Sequence, residues 1–229
     1  MKIQNLSFSY NQRQIFDQLN ISFSDEKVNV VIGPNGVGKS TLLDILAGLY
    51  PQCTKQSLVD IPDHSAIAYQ LQQNHFYPTL TVDQTIRMYQ SIDHAGGTAR
   101  TRTMEEIETQ VLDSIGPLKI GQLSGGERQI VLNYGTCLLN RELYIFDEPI
   151  SGVDPRNSKL ILRMISSLVT EQHKKVIITL HQMDQIENLP AHLVALNNRQ
   201  CVFTGSYQDL MQQEQTEDPS MAFNSLVNK

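Results

Sequence analysis

The spacing of apolar and polar residues changes period several times along this chain, and each change marks an element. "KIQNLSFSY" and "QLNISFS" alternate apolar with polar positions, the period-2 pattern of strands with one solvated face. "VNVVIG" is instead a short β-branched run closed by glycine, which reads as a strand covered on both sides. A helical period follows in "GKSTLLDILAGLY", with Leu42, Leu43, Ile45, Leu46 and Leu49 as its apolar face and Pro51 after its end. "SAIAYQLQ" predicts another strand. From about Val82 to Ile120 the strand pattern is missing: "TVDQTIRMYQSI" and "TMEEIETQVLDSIG" predict helices, with the solvated loop "DHAGGTARTR" between them. Next come helical "SGGERQIVLNYGTCLLN" and the buried strand "ELYIFDE". The amphipathic helix "PRNSKLILRMISSLVTEQ" opens on Pro155, a residue suited to the first helical position. "KVIITLH" is a third buried strand, "HLVALNN" and "QCVFTGS" predict an edge hairpin, and "MQQEQTEDPSMAFNSLVNK" predicts a loosely held polar tail.

Buried strands alternating with helices predict an α/β fold with a mostly parallel sheet covered on both faces. The chain reads as a single domain over 1–229. Its core is about 1–81 and 122–205, with a helical subdomain at about 82–121 and a tail at about 206–229. Ligands of such sheets lie beyond the carboxyl ends of the strands, so the informative residues should follow "VNVVI", "LYIF" and "VIITL".

Composition narrows the possibilities. With 229 residues, 40% of them hydrophobic and 18% charged, the chain can bury a sizeable core. A net charge of −6 argues against broad binding to nucleic-acid backbones. Cys53, Cys137 and Cys201 are scattered with no C-x-x-C pair, the usage of reduced thiols in a cytosolic protein. The first residues carry no apolar signal segment, and no apolar run approaches the ~18–20 residues that cross a bilayer. A membrane role would need its spanning part from another chain, with this one peripheral on the cytoplasmic face.

"GPNGVGKST" fits G-x-x-x-x-G-K-[ST] between a predicted strand and a predicted helix. Its residues are Gly33, Pro34, Asn35, Gly36, Val37, Gly38, Lys39, Ser40 and Thr41. The glycines let backbone N–H groups wrap phosphates. Lys39 would reach the β- and γ-phosphates of a nucleotide, and the Ser40 hydroxyl would ligate Mg²⁺. "LYIFDEP" sets Asp147 and Glu148 at the end of a buried strand. Acids there need a cation or a water to organise: Asp147 suits the Mg²⁺ sphere, and Glu148 suits general-base work on the attacking water. The other reading of this pair is a solvated strand end. His181 closes "VIITLH" and is either a satisfied structural histidine or a donor to a γ-phosphate oxygen. "LSGGE" supplies a second helix start of the anion-binding kind, at Ser124, Gly125, Gly126 and Glu127.

With "LSGGE" between the phosphate loop and the Asp-Glu pair, the chain resembles the ATP-binding subunits of the ABC transporter superfamily, over about Met1 to Gly205. The resemblance implies a P-loop NTPase fold with an N-terminal antiparallel β subdomain and a helical insertion. It implies ATP hydrolysis with Mg²⁺ and a head-to-tail pair of ATPase subunits, in which "LSGGE" of one contacts the γ-phosphate held by the other. It also implies a transmembrane partner facing the region from Thr79 to Ile120. Tyr10 looks like the aromatic that stacks on adenine. Gln72 looks like the glutamine that senses Mg²⁺, with Gln70 and Gln73 close by. Asp154 looks like the aspartate that communicates between the two sites, and it could equally be the N-cap before Pro155. Departures from the family pattern are Ile150 after "DEP", Ile130 in place of an arginine, and a short stretch from Leu49 to Gln72. The alternative function is a non-transport relative acting in translation or DNA maintenance.

Overall fold

A six-stranded sheet runs through the centre of the computed structural model, in the order β5 (Ile67–Gln70), β6 (Leu143–Phe146), β7 (Lys175–Thr179), β3 (Val28–Ile32), β8 (Ala191–Asn197), β9 (Gln200–Gly205). The structure describes all residues except 73–75, 94–99, 182–185, 187–188, 217 and 229, together with the side chains of 54–56 and 227–228. Gln73 and most of the "DHAGGTARTR" loop lie outside the described residues. Strands β5, β6, β7, β3 and β8 are parallel, and β9 returns antiparallel to β8. The two strands expected as an edge hairpin therefore differ: β8 sits inside the sheet, and only β9 is at the edge. A second, antiparallel sheet has the order β2 (Arg13–Ser22), β1 (Lys2–Tyr10), β4 (Leu58–Val59).

The central strands are largely apolar because each face meets a different core, with Asn29 of β3 and Thr179 of β7 among the buried polar exceptions. Val28, Val30 and Ile32 of β3 point into one core while Val31 points into the other. Tyr144 and Phe146 of β6 likewise separate from Leu143 and Ile145, as pleating requires. One core is closed by α6 (Gly125–Cys137) and α7 (Pro155–Thr170). The other is closed by α1 (Lys39–Leu46), α2 (Pro51–Ser57) and the antiparallel sheet.

The stretch expected to be helical holds α3 (Val82–Ile92), α4 (Arg102–Ile107), a π-helical turn over Glu108–Leu112 and α5 (Asp113–Ile115). Thr81 and Gln84 form a capping box at the start of α3, which satisfies two otherwise orphan donors.

Three expectations are corrected. Leu49 does not continue the face of α1. Gly48 takes φ +82°, its N–H bonds the Ile45 carbonyl, and the Leu49 N–H bonds the Asp44 carbonyl. That is a Schellman stop, and it leaves Leu49 58% exposed. The strand before His181 ends at Thr179, so the histidine sits on the following loop. The last residues are not a loose tail. They form α8 (Tyr207–Glu214) and α9 (Pro219–Asn228). Leu210, Ala222 and Leu226 from these helices are buried in the main core, and the Asn197 side chain donates to the Leu226 carbonyl at 3.1 Å.

Candidate functional site

Strands β3, β6 and β7 are neighbours and parallel, so the loops after them open on one edge of the sheet. A cleft of about 550 Å³ lies there. It is lined by Tyr10, Arg13, Ile15, Asn35, Gly36, Gly38, Lys39, Ser40, Thr41, Gln72, Glu148 and His181. The fold thus gathers most of the predicted residues from five separate stretches of chain.

The loop from Gly33 to Gly38 turns where only glycine is unstrained. Gly36 has φ +76° and Gly38 φ +111°, in the left-handed half of conformational space. A Cβ on Gly38 would also lie 2.7 Å from Ile15 and 2.9 Å from Phe16. Lys39 opens α1 and is buried. Its ammonium donates to the carbonyls of Gly33 at 2.8 Å and Pro34 at 3.3 Å. Burial lowers its pKa from the ordinary lysine value, and the carboxylates of Glu148 and Asp147 oppose that shift. Pro34 and Val37 are half-buried beneath the loop, and Ser40 is exposed to the cleft.

Asp147 is only 4% exposed. The Thr179 hydroxyl donates to its Oδ1 at 2.6 Å, and the same hydroxyl accepts the Glu148 backbone N–H at 2.8 Å. One buried threonine thereby fixes both acids. Glu148 carries φ +52°, unusual for a side chain with a Cβ. Its Oε2 accepts from Gln72 Nε2 at 2.9 Å, and its Oε1 is in hydrogen-bond contact with His181 Nε2. A carboxylate only accepts, so this contact places the proton on Nε2. Gln70 is instead buried, with its amide oxygen accepting from Thr136 at 3.1 Å; of these two glutamines, only Gln72 reaches the site.

Tyr10 is 39% exposed at the cleft rim. Its hydroxyl is 2.7 Å from that of Tyr50, and its ring meets Phe8 edge-on at a centroid distance of 4.9 Å. The hydrogen bond with Tyr10 pushes the Tyr50 phenol up to about 12. The ring is thus held by Phe8 and Tyr50 while the side chain stays partly exposed at the rim.

The "LSGGE" residues lie away from this cleft. Ser124 caps α6 and Glu127 closes the box, with Ser124 Oγ donating to Glu127 Oε2 at 2.7 Å. Nothing approaches within 4 Å of a Cβ placed on Gly125, whereas one on Gly126 would meet Asn157 at 2.6 Å and Asp154 at 2.9 Å. Asp154 caps α7, accepting from the backbone N–H groups of Arg156 and Asn157 at 3.1 Å each. Those bonds, led by the one from Asn157, hold its pKa below the usual carboxylate value. Ile130 and Ile150, two of the three departures from the expected pattern, are both buried in the main core. Apolar side chains are what those places demand.

Sequence reasoning missed Thr179, Arg13 and Ile15. A threonine inside "KVIITLH" and an isoleucine in an alternating strand look like ordinary strand formers, and Arg13 looks like hairpin surface.

The family model described as "ABC transporter" matches residues 16–151. The zinc import ATP-binding protein ZnuC of Ehrlichia chaffeensis is 23% identical, over 93% of this chain and 86% of that protein. The linearmycin resistance ATP-binding protein LnrL of Bacillus subtilis is 30% identical, over 92% of this chain and 70% of that protein. A solved structure described as the ATP binding subunit of an ABC transporter superposes with a TM-score of 0.77, covering 98% of both chains at 20% identity.

Proposed function

This chain belongs to the ABC transporter family, as an ATP-binding subunit that hydrolyses ATP, and from that premise we propose how its residues divide the work. The observation that carries the reading is the Glu148 carboxylate, held by Gln72 and His181 at the mouth of a cleft lined by the phosphate loop.

Tyr10 offers its ring to the adenine. The loop from Gly33 to Thr41 wraps the phosphates with backbone N–H groups, and the dipole of α1 favours the anion. Lys39 exchanges its carbonyl partners for β- and γ-phosphate oxygens. The Ser40 hydroxyl, the Asp147 carboxylate and the Gln72 amide oxygen are all hard donors, and Asp147 is a buried carboxylate whose Oδ1 accepts from the Thr179 hydroxyl. That set fits Mg²⁺. When bound, the ion neutralises charge on the phosphate oxygens. Glu148 takes the proton of the attacking water, and His181 holds the carboxylate in place and then donates toward the γ-phosphate.

The "LSGGE" start of α6 is a second anion site with no ligand contact of its own cleft. We assign it, with Asp154, to the nucleotide of a second subunit packed head to tail. A transmembrane subunit supplies the membrane part, since among the described residues no helix is long and apolar enough to cross a bilayer. Its docking place is the region from Thr79 to Ile120, where Met88, Ile92 and Leu118 are exposed. This puts the chain on the cytoplasmic face of the membrane. The alternative in translation or DNA maintenance is not favoured by these relatives.

The test is Glu148→Gln. Turnover should fall by orders of magnitude while Mg-ATP accumulates in a stable dimer on gel filtration, and that dimer should pull an integral membrane protein from detergent extracts of native membranes. Unchanged turnover would remove Glu148 as the base.

A further inference from the structure

The β1–β2 hairpin brings to the cleft a cation that belongs to none of the motifs. Tyr10 and Arg13 are direct cross-strand partners at its tip, so their side chains leave the hairpin on the same face. Both line the cleft, next to Gly36 and Lys39. Arg13 Nη2 donates to the Gly36 carbonyl at 3.4 Å, and it is also the atom nearest to where a Gly36 side chain would begin, at 3.9 Å. Gly36 is exposed with φ +76°. The guanidinium thus lies over the outer rim of the phosphate loop, while the buried Lys39 ammonium serves the carbonyls of Gly33 and Pro34.

The charge of Arg13 is uncompensated. Among the described residues, none of the ion pairs involves it. Its bond to Gly36 is long for N–H···O and ends on a neutral acceptor. Phosphate oxygens accept shorter and stronger charge-assisted bonds, and the planar arginine fork matches them in pairs. In a chain of net charge −6, a guanidinium with no ion pair among the described residues, set against a phosphate loop, is a local feature and not part of a general basic surface.

We propose that Arg13 is a second cationic ligand of the nucleotide's polyphosphate, reaching it from the base side of the cleft while Lys39 reaches it from the loop side. One cross-strand pair then reads both ends of the ligand: Tyr10 the base, Arg13 the charged chain. The ligand class selected is the nucleoside di- and triphosphates over the nucleoside.

The inference rests on the nucleotide reading of the cleft, and the experiment separates the two. Titration calorimetry with Mg-ADP on the wild type and on Lys39→Ala tests the cleft itself: the wild type binds and Lys39→Ala does not. Against that baseline, Arg13→Gln should weaken Mg-ADP binding by about tenfold, the loss expected for a charge-assisted contact. Its affinity for adenosine, followed by ligand-observed NMR, should change less than about twofold, because adenosine has no phosphate for the guanidinium to contact. Arg13→Lys, which keeps the charge without the planar fork, should bind Mg-ADP with an affinity between those of wild type and Arg13→Gln. Unchanged Mg-ADP binding in Arg13→Gln overturns the proposal. So does an equal loss for adenosine, which would mean that Arg13 only steadies Tyr10.

Discussion

Replacing Thr179 with valine tests the claim that one buried hydroxyl holds both acids. Valine keeps the shape of threonine and its place in β7. It removes the donor to Asp147 Oδ1 at 2.6 Å and the acceptor of the Glu148 N–H at 2.8 Å. Thr179 is fully buried, so water does not replace either partner. The bond to the carboxylate contributes about 1.5–3 kcal/mol, and a buried N–H left alone costs about 1–3 kcal/mol. The extra buried methyl returns less than about 1 kcal/mol. The net loss is therefore about 2–5 kcal/mol. At about 2–4 °C per kcal/mol for a chain of this size, the melting temperature drops by roughly 5–20 °C. Urea denaturation read by circular dichroism measures the first quantity, and a thermal scan measures the second. Turnover should fall as well, because Glu148 loses the tether on its left-handed backbone. Thr179→Ser, which keeps the hydroxyl, should recover most of the turnover. A loss below about 1 kcal/mol with normal turnover in Thr179→Val would refute the reasoning, since the two acids would then be held by something else.

Gly135→Ala should destabilise the contact between α3 and α6, because its Cβ would lie 2.3 Å from ring atoms of Tyr89. Overpacking of this kind costs roughly 1–3 kcal/mol, against about 1 kcal/mol gained in helix propensity; a lower urea midpoint, restored by adding Tyr89→Leu, checks it. Asp154→Ala should lower stability at neutral pH by removing the cap of α7. The folded pKa of Asp154 is lowered, so its contribution is present above the unfolded value of 3.8 and is lost as pH falls through the lower folded value. Melting curves of wild type and Asp154→Ala should therefore converge on acidification, and a gap that persists unchanged in strong acid would show that the carboxylate charge is not what matters.

What could be read from sequence was what short range decides. The strand "VNVVI" was visible because burial on both faces demands a mostly apolar, β-branched run, and the phosphate loop because wrapping an anion with backbone donors fixes glycines at set spacings. Leu49 was misread because the apolar period continues through Gly48, while the φ of +82° at that glycine had already ended the helix. The C-terminal helices were missed because only a few residues anchor them, among them Leu210, Ala222 and Leu226. That is too few apolar positions to stand out in a polar stretch. Thr179 was missed for a different reason: its role exists only because β6 and β7 are paired, which sets the hydroxyl beside Asp147 across 32 residues of sequence. Arg13 follows the same rule, since its place beside Tyr10 comes from hairpin register and its place beside Gly36 from the docking of two sheets.

The proposed second subunit would meet this chain at the "LSGGE" helix start. Ser124 and Glu127 satisfy each other's backbone N–H groups in a capping box, so the helix start is capped without any ligand. A Cβ on Gly125 would still meet nothing within 4 Å, so no part of the described fold uses the open space that this glycine leaves. A capping box that closes on itself, beside a glycine that its own fold does not require, is what a surface shaped for a second subunit's phosphate would look like. The prediction is direct: Gly125→Leu should leave the melting temperature and Mg-ADP affinity of the single chain within error. It should abolish the dimer that Glu148→Gln forms with Mg-ATP. A Glu148→Gln/Gly125→Leu protein that still elutes as a dimer would place the partner's nucleotide elsewhere.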